Sequence, residues 1–216
     1  MDGADAKGPD GVEALLIFPC NGNAIEALDC LAGAYRMLGF VDDTPEKQGR
    51  EVCGHPVHSR AAFARWPQAK VLAVPGSPSS YATRRTLIEG LALTEAHWAR
   101  VIHPSAQVSP RATLGHNVLL MAGVVITSNA VIGDHVCVLP NSVVHHDSEI
   151  AAWSLIGSNV TVAGHVDVAE NCYIGSGSSL MNGIEIGRGA LVGMGSTVVR
   201  DVAPGTRVVG NPARVA

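Results

Sequence analysis

His145, His146 and Asp147 follow one another in a chain of 216 residues of which only 16% are charged. An imidazole titrates near neutrality and can take a proton at working pH. A carboxylate beside it can orient the ring and favour its charged form. The chemistry this offers is proton removal from a nucleophile as it attacks an electrophilic carbon. No Cys or Ser is placed beside His146 in the manner of an activated nucleophile, so direct attack is expected rather than a covalent enzyme intermediate. The five cysteines, Cys20, Cys30, Cys53, Cys137 and Cys172, are odd in number and form no Cys-x-x-Cys pair. They suggest neither a disulfide framework nor a zinc knuckle and read as small buried apolar residues.

The elements that must position these groups are announced by a repeat. Every sixth residue from Ile102 to Val198 is Ile, Leu or Val, and a small or β-branched residue stands four positions after each. Gly often follows the aliphatic residue directly, as at Ile132-Gly133, Ile156-Gly157, Ile174-Gly175, Ile186-Gly187 and Val192-Gly193. A period of six fits neither an α-helix nor a plain strand; it predicts short strands joined by tight corners, three hexads to a coil. Coils then stack at roughly 4.8 Å. An alternating β-sandwich is opposed by the unbroken spacing, which admits no loop insertion. With three hexads per coil, residues 18 apart stack, so His146 lies over Ser128 and under Gly164, and Asp147 lies under His165. Gly164 then leaves a gap above the imidazole and bares an amide that could receive an oxyanion. His145 reads as surface, and His103 before Pro104 as a residue closing the bottom of the prism. Met121 and Met181, one position after the inward aliphatic, are expected at a subunit interface or ligand groove, and Trp153 at the acyl site or a subunit seam.

The first hundred residues differ. Ala14 to Phe18 reads as a strand, Pro19-Cys20-Asn21-Gly22-Asn23 as a polar turn, and Ile25, Leu28, Leu31, Tyr35 and Leu38 as one face of a helix capped by Gly39. Gly39-Phe40-Val41 leads into Asp42-Asp43, Val71 to Val74 is a further strand, and Leu87, Ile88 and Leu91 mark a helix. This predicts a small βαβ domain whose first turn and helix start could meet a phosphate. The boundaries expected are a disordered segment over 1–12, the βαβ domain over 13–100, the β-helix over 101–203 and a tail over 204–216. A net charge of -4, from 15 Lys+Arg against 19 Asp+Glu, opposes nucleic-acid binding. Neither a basic-then-apolar leader nor a bilayer-length apolar run is present, so a cytoplasmic protein without membrane insertion is expected.

The hexads and the ending Val209-Gly210-Asn211-Pro212-Ala213-Arg214 resemble the hexapeptide-repeat acyltransferases. With Gly39-Phe40-Val41-Asp42-Asp43, Ile102-His103-Pro104-Ser105-Ala106 and the His146-Asp147 step, nearly the whole chain resembles one branch of them. That branch comprises nucleotide-sugar N-acetyltransferases and sialic-acid O-acetyltransferases, including the bacillosamine and perosamine N-acetyltransferases. The resemblance implies an α/β N-terminal domain of small Rossmann-like βαβ type followed by an all-β left-handed parallel β-helix. It implies a homotrimer with active sites between subunits, acetyl-CoA as acyl donor and no metal. It assigns catalysis to His146 and Asp147, the nucleotide-linked sugar to Asn21, Gly22, Asn23, Asp42, Asp43 and Gly76, and CoA to Gly164, Gly175, Gly193, Asn211, Pro212 and Arg214. Two departures stand out. The family's Gly-x-Gly-Gly-His turn is replaced by Pro19-Cys20-Asn21-Gly22-Asn23, and Leu139 stands where many members have Asn seven residues before the catalytic His.

The function expected is N-acetylation of a nucleotide-linked amino sugar, with sugar O-acetylation and a non-catalytic β-helix that binds a partner as alternatives. A three-histidine hydratase on the same prism is opposed, because such enzymes space two ligands five residues apart. Among His103, His116, His135, His145, His146 and His165 no two differ by five.

Overall fold

The computed structural model describes residues 11–216, so the disorder expected over residues 1–12 lies, as far as residue 10, outside the described residues. The chain opens with strand β1 (Glu13–Phe18), whose residues from Ala14 onward are all buried. A continuous apolar run of this kind suits a central parallel strand covered on both faces. β1 lies between β2 (Tyr35–Val41) and, after the hairpin β3 (Glu51–Val52) and β4 (His55–His58), β5 (Lys70–Ala73), in the order β3-β4-β2-β1-β5. All pairings are parallel except β3 with β4. Helices α1 (Gly22–Glu26), α2 (Ala61–Arg65) and α3 (Arg84–Glu89) are short.

The long helix read from Ile25 to Leu38 is not formed. α1 ends at Glu26, a 3₁₀ turn covers Ala27–Cys30, and Ala32 and Gly33 adopt left-handed backbone that turns the chain into β2. Tyr35 and Leu38 therefore belong to a strand: β1 needs a parallel partner on that side, and pairing outweighs a helical pattern that five residues suggested. Gly39 is not a helix cap. It sits at an irregularity in the β1–β2 register with φ +146, where a Cβ would lie 2.5 Å from the Pro56 carbonyl oxygen of β4.

From Arg100 to Val198 the chain forms a left-handed parallel β-helix of strands two or three residues long. The first face stacks Gln107–Val108, Val125–Ile126, Val143–Val144, Thr161–Val162, Ser179–Leu180 and Thr197–Val198. The second stacks Thr113–Leu114 through Glu185–Ile186, and the third runs from Arg100–Ile102 to Leu191–Val192. Partners are 18 residues apart, as at Val125↔Val143↔Thr161, until Ile186↔Val202 and Leu191↔Arg207, which are 16 apart. The repeat thus loses two residues after Val198, and strand Arg207–Gly210 adds one more rung to the third face. Ala213–Val215 folds back antiparallel on that rung.

The inward aliphatic residues form one column of core. Buried serines fit beside them because each is satisfied: Ser142 Oγ donates to the Gly157 carbonyl at 2.6 Å and accepts from the Val160 amide at 3.0 Å. Most corners also have one position in left-handed backbone. These positions are Asn129, Asp147, His165 and Gly183 between the first and second faces, Asn117, His135, Trp153, Asn171 and Gly189 between the second and third, and Gly123, Asn141, Asn159, Gly177 and Gly195 between the third and first. Asn, Asp and Gly tolerate this conformation best, which explains much of the corner composition.

The N-terminal domain covers the third face. Leu119, Met121, Cys137, Leu155 and Tyr173 share one core with Leu15, Ile17 and Leu72. Met121 is thus buried at this junction. Trp153 packs against the N-terminal domain as well, half-buried and stacked on His135 at 4.0 Å. Four of the five cysteines are buried as expected; Cys53 is exposed in the β3–β4 turn.

Candidate active site

The corner between the first and second faces gathers four polar side chains. His146 Nδ1 lies 2.7 Å from Asp147 Oδ2, to which it donates. Asn129 Nδ2 donates to Asp147 Oδ1 at 2.9 Å, so each carboxylate oxygen has its own partner. His165 packs edge-on against His146, with ring centres 5.1 Å apart, and its Nε2 is 3.9 Å from Asp147 Oδ2. The Asn129 hydrogen bond, followed by that from His146, holds the Asp147 carboxyl below its ordinary value. Asn129, Asp147 and His165 occupy the same left-handed position in successive coils, which is why they stack. Asn129 escaped the sequence reading, although the 18-residue offset from Asp147 would have found it.

Gly164 closes the corner from above. A Cβ there would lie 2.8 Å from both Cε1 and Nε2 of His146, so only glycine leaves room for the imidazole. Among the described residues the Gly164 amide has no hydrogen-bond partner. The corner therefore presents a carboxylate-oriented imidazole packed against a glycine whose backbone amide is bare. Such an arrangement can remove a proton from a nucleophile and receive negative charge on a nearby oxygen. His145 stands beside it, half-buried. Met181 is exposed on the same corner two coils above His145. His103 lies at the first corner, where its Nδ1 accepts from the Ser105 amide at 3.0 Å.

Asn21, Gly22, Asn23 and Gly76 line one cleft of about 430 Å³ in the N-terminal domain, together with Pro19, Pro75, Ser77, Ser80 and Leu87. Asn21 shapes it: Oδ1 caps α1 by accepting from the Ala24 amide at 2.9 Å, and Nδ2 donates to the Val74 carbonyl at 3.1 Å. Asp42 and Asp43 do not join this lining. Asp42 is buried, and its carboxylate accepts from the Cys20 and Thr44 amides and from Lys47 Nζ at 2.9 Å. Burial alone would raise its carboxyl, but the Lys47 and Thr44 hydrogen bonds outweigh this and hold it below its usual value. Asp42 is therefore the brace of the β1–α1 turn. Asp43 is exposed and makes a two-pronged pair with Arg60, at 2.7 and 2.8 Å.

The residues expected at CoA fall on different corners. Gly164 belongs with His146, whereas Gly175 and Gly193 stack at the corner between the third and first faces. There a Cβ on Gly175 would lie 2.6 Å from the Met194 amide nitrogen, and one on Gly193 would lie 2.6 Å from Val209. Asn211, Pro212 and Arg214 are exposed in the terminal hairpin. Within one chain the His146 corner is the edge opposite the third face, and the N-terminal domain with its cleft sits on that third face. No helix among the described residues is long and apolar enough to cross a membrane.

Residues 129–164 match the model of the bacterial transferase hexapeptide (six repeats), and residues 165–200 that of the hexapeptide repeat of succinyl-transferase. No curated protein matches the chain in a sequence comparison. Among solved structures, the acetyltransferase domain of PglB from Neisseria gonorrhoeae, in complex with acetyl coenzyme A, is 28% identical. It superposes with a TM-score of 0.86 over 95% of this chain and 100% of that one. A histidine-to-asparagine variant of perosamine N-acetyltransferase from Caulobacter crescentus, in complex with CoA and GDP-perosamine, is also 28% identical. Its TM-score is 0.84, over 95% of this chain and 97% of that one. WeeI from Acinetobacter baumannii, at 24% identity and a TM-score of 0.82, shares the fold. Over residues 129–200 the chain carries the hexapeptide repeat of bacterial transferases, and over nearly its whole length it is similar to perosamine N-acetyltransferase and the PglB acetyltransferase domain.

Proposed function

We propose that this chain transfers an acetyl group from acetyl-CoA to the amino group of a nucleotide-linked sugar, with His146 as general base. The observation that carries the reading is the His146 imidazole, oriented by Asp147 and packed against Gly164, whose amide is unpartnered. With Nδ1–H donating to Asp147, Nε2 is left as the acceptor. The sugar nitrogen attacks the thioester carbonyl carbon, and Nε2 takes a proton from that nitrogen as the C–N bond forms. The carbonyl oxygen gains negative charge within reach of the Gly164 amide. When the tetrahedral adduct collapses, the C–S bond breaks, and the thiolate leaves and is protonated by the imidazolium. Asp147 stabilises the imidazolium between the two proton transfers.

The names of the similar structures support this donor and this class of acceptor, since one holds acetyl coenzyme A and another holds CoA with GDP-perosamine. A sugar held in the N-terminal cleft cannot reach the His146 corner on the far side of the same prism, so the reading requires a second copy of the chain. A homotrimer with sites between subunits meets that need, and it would let Gly164 of one prism and Gly175, Gly193 and the hairpin residues Asn211, Pro212 and Arg214 of another flank one CoA groove. The test is thiol release from acetyl-CoA against a panel of UDP-, GDP- and dTDP-linked amino sugars. The reading expects stoichiometric thiol and amide product with at least one of them. Release only with hydroxyl acceptors, or with none of the panel, would overturn it.

A further inference from the structure

Arg84, at the start of α3, is fully buried and has no carboxylate partner among the described residues. Its Nη1 donates to the Pro75 carbonyl, its Nη2 donates to the His135 carbonyl at 2.6 Å, and its Nε has no partner. Holding an unneutralised guanidinium away from water is costly. Two carbonyl contacts could be made by a neutral side chain, so the charge itself calls for a role.

The peptide that Arg84 grips supplies one. Pro75 and Gly76 are joined by an ordinary trans peptide, in which the carbonyl and the amide hydrogen point in opposite directions. With the Pro75 carbonyl turned inward to Arg84, the Gly76 amide is turned outward. Gly76 lines the N-terminal cleft, and among the described residues its amide has no hydrogen-bond partner. The contact is close: a Cβ on Gly76 would lie 3.0 Å from Leu155 and 3.7 Å from Arg84 Cδ. No Lys, Arg, Asp or Glu lines the cleft. Its polar lining is the bare amide, Asn21, Asn23, Ser77 and Ser80, above one buried positive charge. This combination suits an anion that accepts hydrogen bonds from neutral donors.

We propose that Arg84 is a positioning residue that makes the N-terminal cleft a diphosphate site, aiming the Gly76 amide into it and supplying its positive potential from beneath. The proposal rests on the reading of a nucleotide-linked acceptor and names what anchors the link between nucleoside and sugar. CoA carries a diphosphate too, so the two sources must be told apart.

The experiment is calorimetric titration of the wild type, Arg84→Gln and Arg84→Lys with UDP, GDP, their nucleosides and CoA, alongside melting curves. Arg84→Gln keeps donors for the carbonyls but removes the charge. It should weaken UDP or GDP binding about tenfold or more, leave the nucleosides and CoA unchanged, and abolish stabilisation by the diphosphates. Arg84→Lys should recover part of the loss. The proposal is overturned if Arg84→Gln binds both nucleotides as the wild type does, or if the wild type binds neither. It is also overturned if only CoA affinity falls, or if every ligand weakens alike together with the melting temperature while lysine rescues nothing. If the wild type acetylates a nucleotide-linked sugar and Arg84→Gln binds normally, the Arg84 inference falls alone. If the diphosphate site depends on Arg84 but no thiol is ever released, the transfer reading falls and the site stands.

Discussion

Two corners of one prism carry histidines and turn them to opposite ends. Between the second and third faces, His135 is only 8% exposed, accepts from Asn117 Nδ2 through Nδ1 at 2.9 Å, and is stacked on Trp153. Burial pushes its pKa down to about 4, so it is a neutral packing element. Between the first and second faces, the side chain of His146 is 55% exposed and donates to a carboxylate. The two residues stand one position apart on their corners: His135 holds the left-handed position, whereas His146 precedes it and Asp147 holds it. The neighbour on the outside differs as well: the N-terminal domain seals the first corner and leaves the second open. A repeat therefore fixes where side chains stand, and the second domain decides which can do chemistry.

This contrast can be broken at graded cost. Gly164→Ala should be the most damaging of the changes around His146, because the new methyl group would need the space of the imidazole. Turnover should fall about 10²-fold with the melting temperature preserved; unaltered turnover would show that the ring need not sit there. Asn129→Ala should cost less, about three- to tenfold in kcat. It removes the foremost contact that keeps the Asp147 carboxyl low, so the titration of that carboxyl, followed by NMR, should move upward. An unmoved carboxyl titration would detach Asn129 from the site.

His135→Asn should have the smallest effect on turnover and a visible one on stability. The unfolded chain takes up this proton near pH 6.5, whereas the folded His135 resists until about 4. Its contribution to stability is thus complete above about pH 6.5 and is lost as pH falls toward 4. The wild-type melting temperature should drop through that window, and the variant should drop less; parallel curves would remove His135 from the account.

The prism was legible because the six-residue spacing runs unbroken from Ile102 to Val198, and the offset of 18 by itself puts Gly164 over His146. The N-terminal domain was harder. Its βαβ order is written in apolar runs, but Tyr35 and Leu38 carry a helical spacing while their strand pairing is decided by β1, far off in sequence. Asp42 reads as a ligand residue in the sequence; that it also braces the β1–α1 turn depends on its partners Cys20, Thr44 and Lys47, which the fold brings together. The same holds for Trp153 and Met121, whose neighbours come from the domain that packs on the third face.

The central claim is that the open corner, not the sealed one, performs the transfer. It is tested most directly by thiol release from acetyl-CoA with the accepted amino-sugar nucleotide, comparing the wild type with His146→Ala. A loss of about 10²- to 10⁴-fold in turnover, with acetyl-CoA binding and melting temperature unchanged, is the predicted result. Turnover equal to that of the wild type would contradict it.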